Sequence, residues 1–207
     1  MLNTKPSLFN FLLFTLAILN LSYISGSTKL EPVKWVVQTG GEVRVNGSTN
    51  INKFECDVIG YSISDTLIFY KNTPSNINTV MTGSVSLNIT NFDCHNGMMT
   101  SNLRKTLKMK EYPRMNIRFL SMSKFPELDK GIEYAVGTVD IELAGVTKRF
   151  NIEYKFSIDV YKIISMQGTK TVKFSDFNLT APRKLGGMIQ AKDDLDVVFK
   201  LNLRRVS

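Results

Sequence analysis

Residues 136–160, VGTVDIELAGVTKRFNIEYKFSIDV, contain the clearest strand pattern of the chain. Apolar and polar side chains alternate on both sides of its middle, which is the period-2 pattern of a strand that is wet on one face. Because Gly145 accepts backbone angles that are closed to other residues, residues 144–148 are predicted to form the turn of a hairpin. The side chains predicted to share its apolar face are Val139, Ile141, Leu143, Phe150, Ile152, Tyr154, Phe156, Ile158 and Val160.

A hairpin with one apolar face is not stable alone in water, so further strands must cover that face. Alternating stretches of the same kind recur at residues 43–45, 54–58, 85–89, 115–119, 172–174 and 195–203. Short strands separated by turns indicate an antiparallel sandwich or barrel. The last stretch is expected to pair with the first, since this pairing removes exposed strand edges. The sequence therefore predicts an all-β fold.

One amphipathic helix is predicted over residues 98–110, where Met99, Leu103 and Leu107 recur every four residues. Pro113 is expected to end it, because a proline disfavours the helical conformation in the residue before it. Two roles stay open for this helix. Its apolar stripe packs it on the sheet, or it also covers the mouth of a cavity while its basic side chains meet a polar head group.

Residues 1–27 have the composition of a secretory signal peptide. Lys5 is their single charge, an apolar run extends to Ile24, and small residues end the segment. A retained membrane anchor is the alternative, but Asn10 and Asn20 interrupt the apolar run below a comfortable bilayer span. We therefore expect an exported protein whose residues 28–207 form a single domain.

Cys56 and Cys94 are the two cysteines of the chain. In an oxidising compartment an even number of cysteines favours a disulfide, and two buried thiols are the alternative. His95 follows Cys94 directly, but this adjacency is not evidence for a nucleophile and its base, because the partners of such sites normally come from distant segments. A thiol or acyl-transfer enzyme is therefore only a weak alternative. A disulfide at Cys94 would remove that possibility.

The net charge indicates which classes of partner can be expected. The formal net charge is +8, with 26 basic residues spread through the chain. A basic surface of this kind permits contact with anionic membrane surfaces. Nucleic acid is not expected as a partner, because no zinc pattern or recognition helix accompanies the charge. His95 is the single histidine, so a histidine-rich metal site is impossible, and neither a metal nor a cofactor is expected.

The order and spacing of several short motifs resemble those of the YceI-like family of exported, lipid-binding bacterial proteins. The resemblance extends over nearly all of residues 35–205. The motifs that carry it are VNGST at 45–49, FEC at 54–56, NL at 102–103, LK at 107–108, YP at 112–113, IRF at 117–119, GVTK at 145–148, FSDF at 174–177, and Asp194 with the last strand.

The family resemblance implies a lipocalin-like antiparallel β-barrel of about eight strands, with the helix beside it, in the periplasm or outside the cell. It also implies that the apolar interior holds an isoprenoid chain, such as a polyprenyl phosphate or a quinone tail. A barrel of this size either holds one ligand or is filled by its own side chains. A filled barrel acting as an envelope interaction or stress protein, and the weak thiol or acyl-transfer enzyme, are therefore the alternatives.

For a hollow barrel, the candidates for the ligand-binding lining come from the helix, the central hairpin and the strand before it. They are Leu103, Leu107, Met115, Ile117, Phe119, Val139, Ile141, Leu143, Phe150, Ile152, Tyr154, Phe156 and Ile158. Basic residues at the mouth would meet a phosphate head group. The candidates for that role are Arg104, Lys105, Lys108, Arg183 and Lys184.

Overall fold

The computed structural model describes residues 32–58, 65–71, 78–184 and 187–206. The predicted signal peptide, residues 1–27, lies outside the described residues. Within them the chain forms mainly β-strands, which confirms the all-β class, and one α-helix, α1, at Gly97–Thr106. The strands are β1 Pro32–Thr49, β2 Lys53–Val58, β3 Thr66–Tyr70, β4 Thr79–Thr82, β5 Ser84–Asn88, β6 Phe92–Asp93, β7 Arg114–Met122, β8 Glu133–Leu143, β9 Val146–Ile158, β10 Ile164–Lys173, β11 Arg183–Lys184 and β12 Ile189–Val206. Short 3₁₀ helices occur at Ile89–Asn91, Leu128–Lys130 and Phe174–Phe177.

Eight antiparallel strands close a barrel. Around its wall they follow the order β1, β3, β4, β7, β8, β9, β10 and β12, and β12 returns to pair with β1. The closing pair runs from Lys34 opposite Val206 to Thr49 opposite Ala191. The predicted barrel of about eight strands, closed by its first and last strands, is thereby confirmed. The short strands β2, β5, β6 and β11 extend the sheet beyond this ring.

Strands β8 and β9 form the predicted central hairpin. Its turn is tighter than predicted, because only Ala144 and Gly145 leave the strands, with φ of 52° and 80°. Two consecutive residues with positive φ give a turn whose twist matches that of the strands. The placement of Val160 on the apolar face was wrong. β9 ends at Ile158, and Val160 lies in the following turn, where it is 86% exposed.

Helix α1 begins after Asn96, whose side-chain oxygen accepts a hydrogen bond from the Met99 backbone N–H at 3.0 Å. It ends at Thr106, before the predicted end, and the proline that follows is not the cause. Lys108 turns the chain out of the helix with a φ of 53°. In the described parts of the chain, no helix is long and apolar enough to cross a membrane.

Aromatic rings fill one part of the barrel interior. The Trp35 ring centroid lies 4.4 Å from that of Phe69 and 6.1 Å from that of Phe156, and Tyr154 packs against Phe156 at 6.0 Å. Gly137 makes room for this cluster, because a Cβ at that position would lie 2.3 Å from the Tyr154 ring. Burial also raises the pKa of the Tyr154 phenol. This part of the barrel is therefore packed by its own side chains.

On the outer face of the hairpin, one carboxylate is buried beneath two arginines. Asp140 is only 5% exposed, and it accepts hydrogen bonds from Arg118 Nη2 at 2.7 Å and from Arg149 Nε at 2.7 Å. These hydrogen bonds, first that of Arg149 and then that of Arg118, lower the pKa of Asp140 to about 2. The triplet links β7, β8 and β9 across the sheet.

A disulfide joins Cys56 on β2 to Cys94, which follows β6. It connects two segments that are 38 residues apart in the sequence. Cys94 leads directly into the loop that caps α1, and its backbone N–H donates to Thr100 Oγ1 at 2.9 Å. The bridge thus ties the start of the helix to β2, which pairs with β1 of the barrel wall. Because Cys94 is bonded, it offers no thiol for nucleophilic catalysis.

Candidate functional site

The part of the barrel beside α1 contains an apolar cavity of about 90 Å³. All of its lining side chains except one lysine are apolar, and they come from strands on opposite walls and from the helix. The lining residues are Val43, Val45, Phe92, Leu103, Leu107, Met115, Ile117, Ile141, Leu143, Ile152, Lys170, Val172, Phe177, Leu195, Val197 and Phe199. We call this space the barrel cavity. The aromatic cluster around Trp35 does not line it.

The first and last strands supply one wall of the barrel cavity. Val43 lies opposite Phe199 and Val45 opposite Val197 in the closing pair, so all four side chains reach the interior. Successive inward positions on a strand are two residues apart, and each strand therefore contributes every second side chain to the wall. The alternation of apolar residues in the sequence thus becomes a continuous apolar surface.

Helix α1 covers the barrel cavity. Leu103 in the helix and Leu107 directly after it line the cavity and are 5% and 4% exposed. Arg104 holds the helix in place, because its Nε and Nη2 donate to the Phe92 carbonyl oxygen at 3.1 and 2.9 Å. Of the two roles left open for the helix, covering a cavity therefore describes it better than packing alone. Arg104 is occupied in fixing the helix.

A groove leads from the surface to Leu103, which lines both spaces. This groove, of about 410 Å³, lies between α1 and the turn after β1. Ile51 and Met98 line it and are 65% and 67% exposed. A small space of about 20 Å³ shares Ile117 and Phe199 with the barrel cavity. The barrel cavity thus adjoins both the groove and this small space.

Lys170 is the exception in the apolar lining. It occupies an inward position of β10, in the alternating series that also contains Gly168 and Val172. Its Nζ lies 5.9 Å from the centroid of the Phe150 ring, within the range of a cation–π interaction. Among the described residues, no carboxylate oxygen lies within 4.0 Å of this ammonium. The site therefore combines an apolar space with one cation that lacks an ionic partner.

A second, more open pocket of about 1170 Å³ lies at the aromatic end of the barrel. Trp35, Phe125 and Ile158 form part of its lining. Its charged lining residues are mostly basic, and Lys71, Lys124, Lys162, Arg204 and Arg205 outnumber the acidic Glu127 and Asp129. The buried Trp35 ring, which is 1% exposed, belongs to the aromatic cluster at the base of this pocket. The pocket is a surface depression with a basic rim.

Among the described residues, one group has the chemistry of metal ligands: Glu55, Asp57 and His95, whose donor atoms lie within 4.8 Å of one another. Arg44 Nε already contacts Asp57 Oδ1 at 3.3 Å and Glu55 Oε1 at 3.5 Å. His95 Nε2 lies 3.0 Å from Asp57 Oδ2. A guanidinium within the group disfavours a second cation, so we interpret it as an exposed ion-pair network.

Comparison with known proteins identifies the family. The family model of the YceI-like domain matches residues 62–203, which is more than half of the chain. The chain belongs to the YceI-like family. This membership confirms the resemblance carried by the short sequence motifs. No curated protein sequence matches the chain.

Solved structures share the YceI-like fold at low sequence identity. BcnA of Burkholderia cenocepacia is 13% identical, with a TM-score of 0.60 over 80% of this chain and 98% of its own. A polyisoprenoid-binding domain from Saccharophagus degradans, implicated in plant cell wall breakdown, is 9% identical, with a TM-score of 0.57 over 84% and 99%. The YceI protein of Campylobacter jejuni is 16% identical, with a TM-score of 0.50 over 69% and 81%. At these identities the similarity shows the fold alone.

The predicted lining residues of this YceI-like chain divide into three groups. The barrel cavity is lined by Leu103, Leu107, Met115, Ile117, Ile141, Leu143 and Ile152, and Phe119 lines the small space beside it. The residues that are buried without lining the barrel cavity are Val139, Phe150, Tyr154 and Phe156. Ile158 is 37% exposed, because β9 ends there at the rim of the open pocket. Its assignment to the lining was wrong.

The predicted head-group residues do not line the barrel cavity. Arg104 binds the Phe92 carbonyl, and Lys108 is exposed in the turn after α1. Arg183 is exposed on β11, opposite Gln190. The sequence prediction did not include Lys170, the one basic residue in the lining of the barrel cavity. It could have been found from its position on β10, because Lys170 lies between Gly168 and Val172 in the series of alternate residues that point inward.

Proposed function

We propose that this YceI-like protein binds the isoprenoid tail of an amphiphile in its barrel cavity. The lining of the cavity supports this proposal. The cavity lies between the barrel wall and the helix, and every side chain that lines it except Lys170 is apolar. Burial of such a tail contributes about 0.8 kcal/mol per CH₂ group. Away from Lys170 the lining favours hydrocarbon, because it offers a buried polar group no hydrogen-bond partner.

The size of the barrel cavity implies that it widens when a tail enters. A volume of about 90 Å³ corresponds to roughly three water molecules at about 30 Å³ each, which is less than a long isoprenoid chain occupies. Met115 in the lining and Met99 in the neighbouring groove have flexible, unbranched side chains that repack easily. Displacement of Leu103 would join the barrel cavity to that groove.

The polyisoprenoid-binding domain from Saccharophagus degradans supports the choice of ligand class, since it has the same fold. We therefore propose a polyprenyl phosphate or a quinone as the amphiphile. The protein would be exported to the periplasm or beyond the cell and serve in transport, storage or protection of this lipid. The hydrophobic segment before residue 28 motivates the export.

The second candidate function is a filled barrel that acts through its surface. The aromatic cluster around Trp35 and the small barrel cavity favour it, and the basic rim of the open pocket would be the interacting surface. Exposed Tyr161 and Lys162 in the same rim would place apolar and basic groups against an anionic membrane surface. For either function we propose a binding role rather than catalysis.

The test is native mass spectrometry of the protein purified from its own host envelope, followed by solvent extraction of whatever is bound. We expect a discrete adduct whose fragments show the isoprene repeat. Ile141→Trp places a large ring in the barrel cavity and should abolish the adduct, whereas Val136→Trp places the same ring on the outer face of the same strand and should retain it. A bare wild-type mass, unchanged after incubation with polyprenyl phosphates and quinones, would favour the filled barrel.

A further inference from the structure

The barrel wall has an opening between β9 and β10. These strands pair from Ile158 opposite Ile164 to Glu153 opposite Thr169, and the pairing stops there. Both strands continue, β9 through residues 146–152 and β10 through residues 170–173, and all of these residues are described. Their facing edges lack the hydrogen-bonded partner that the rest of the ring supplies. We call this gap the β9–β10 opening.

The 3₁₀ helix Phe174–Phe177 narrows one end of the β9–β10 opening. Its Phe177 ring lies 6.0 Å from the Phe150 ring of β9. Asp176 accepts a hydrogen bond from the Lys173 backbone N–H at 2.9 Å and lies 3.1 Å from Lys148 Nζ. This segment is therefore tied to both strands, and the remaining gap lies beside Lys170.

Lys170 stands at the point where the strands separate, because it directly follows the last paired residue of β10. It lines the barrel cavity inside the wall and also a surface groove outside it. Two carboxylates line that groove, Glu153 and Asp196. Neither lies within 4.0 Å of the Lys170 ammonium, and Asp196 already accepts a hydrogen bond from Thr171 Oγ1 at 2.6 Å.

The other lysines at the β9–β10 opening are paired with carboxylates. Lys148 contacts Asp176 at 3.1 Å, and Lys173 contacts Asp194 at 3.7 Å. Lys170 is half-buried against the Phe150 ring and, within the described residues, has no such pair. A partly buried ammonium at an apolar boundary is stabilised most by an anion at the same boundary, because the low local dielectric strengthens their attraction.

We propose that Lys170, in the β9–β10 opening, binds the acidic head group of the amphiphile whose tail lies in the barrel cavity. The preferred ligand is then a phosphate ester of an isoprenoid alcohol rather than a neutral isoprenoid. This inference rests on the proposed function. It extends that function by assigning the head-group residue and the charge of the ligand. Simultaneous burial of the tail and pairing of the head distinguish this ligand from free phosphate.

The experiment compares farnesyl phosphate and farnesol, which have the same tail, by native mass spectrometry and by tryptophan fluorescence titration. The wild type should bind the phosphate ester at least about tenfold more tightly than the alcohol, the minimum expected for a charge-assisted contact. Lys170→Met should remove this preference, so that the variant binds the two probes with equal affinity, whereas Lys170→Arg should largely retain it. Lys155→Met is the matched control, since Lys155 is exposed on the outer face of β9.

The outcomes distinguish failure of the inference alone from failure of the function on which it rests. Equal affinities of the wild type for the two probes would overturn the role of Lys170 while preserving the lipid-binding function. An equal loss of farnesyl phosphate binding in Lys170→Met and Lys155→Met would overturn it as well, because a general charge effect would then explain the preference. Binding of neither probe would overturn both proposals. Displacement of farnesyl phosphate by equimolar inorganic phosphate would show that the site recognises a free anion and would contradict the joint role of tail and head.

Discussion

Replacing Val45 with leucine is expected to stabilise the protein, whereas the same replacement at Val139 is expected to destabilise it. Both valines point into the barrel and are almost fully buried, at 7% and 0% exposure. Val45 lines the barrel cavity, and Val139 lies opposite Phe119 and Phe150 in a packed layer. The two substitutions add the same methylene group to a space that is empty in one case and occupied in the other.

The magnitudes follow from this difference in packing. At Val45 the added methylene enters existing space and gains up to about 0.8 kcal/mol of burial free energy. At Val139 it must displace its neighbours, which typically costs about 1–3 kcal/mol. The loss of β-branching is common to both variants and cancels in the comparison. The free energies of unfolding of the two variants should therefore differ by about 2–4 kcal/mol.

Urea unfolding, followed by the fluorescence of the buried Trp35, provides the assay. The comparison is valid where the slope of the free energy with urea is unchanged between variants, since stability then moves the midpoint alone. Val45→Leu should unfold at the same or a higher urea concentration than the wild type. A loss of 1 kcal/mol or more at Val45, similar to that at Val139, would show that the barrel cavity is not available space.

Three further predictions concern the stability and packing of the barrel. Reducing the Cys56–Cys94 disulfide, which spans 38 residues, should lower the free energy of unfolding by about 4 kcal/mol, measured by urea unfolding with and without reductant; an unchanged midpoint would contradict this. The pKa of Asp140 is lowered to about 2, so its contribution to folding stability is present above about pH 4 and is lost as the pH falls toward 2. Asp140→Asn should therefore lower the free energy of unfolding at neutral pH and reduce the loss of stability in acid. An equally steep loss of stability in the variant would refute this role of Asp140. Ile158→Asp should fold normally and Phe156→Asp should not, as judged by circular dichroism, because Ile158 is exposed and Phe156 is fully buried; unfolding of both would place Ile158 in the core.

The barrel could be predicted from the sequence because alternation within each strand is a local signal. The hairpin of β8 and β9 shows it most clearly, since inward and outward residues differ at nearly every position. The ends of the helix and strands were harder to predict from the sequence. Lys108 adopts a left-handed conformation that lysine rarely takes, so neither the end of α1 nor the exposure of its neighbours follows from the pattern.

The site was only partly predictable, because alternation identifies inward side chains without showing which part of the interior they fill. Phe156 and Ile152 share one face of β9, yet the first packs in the aromatic cluster and the second lines the barrel cavity. That distinction depends on partners distant in the sequence, such as Trp35. The role proposed for Lys170 depends on where β9 and β10 separate, which no local sequence pattern indicates.

The most direct test of the central claim is to locate the ligand tail in the bound protein by methyl NMR. With farnesyl phosphate bound, we expect nuclear Overhauser contacts from the tail protons to the methyl groups of Leu103, Ile117 and Ile141, which line the barrel cavity. We expect none to Ile164, which lines the open pocket at the aromatic end. Contacts to Ile164 without contacts to the barrel-cavity methyl groups would show that the tail does not occupy the barrel cavity.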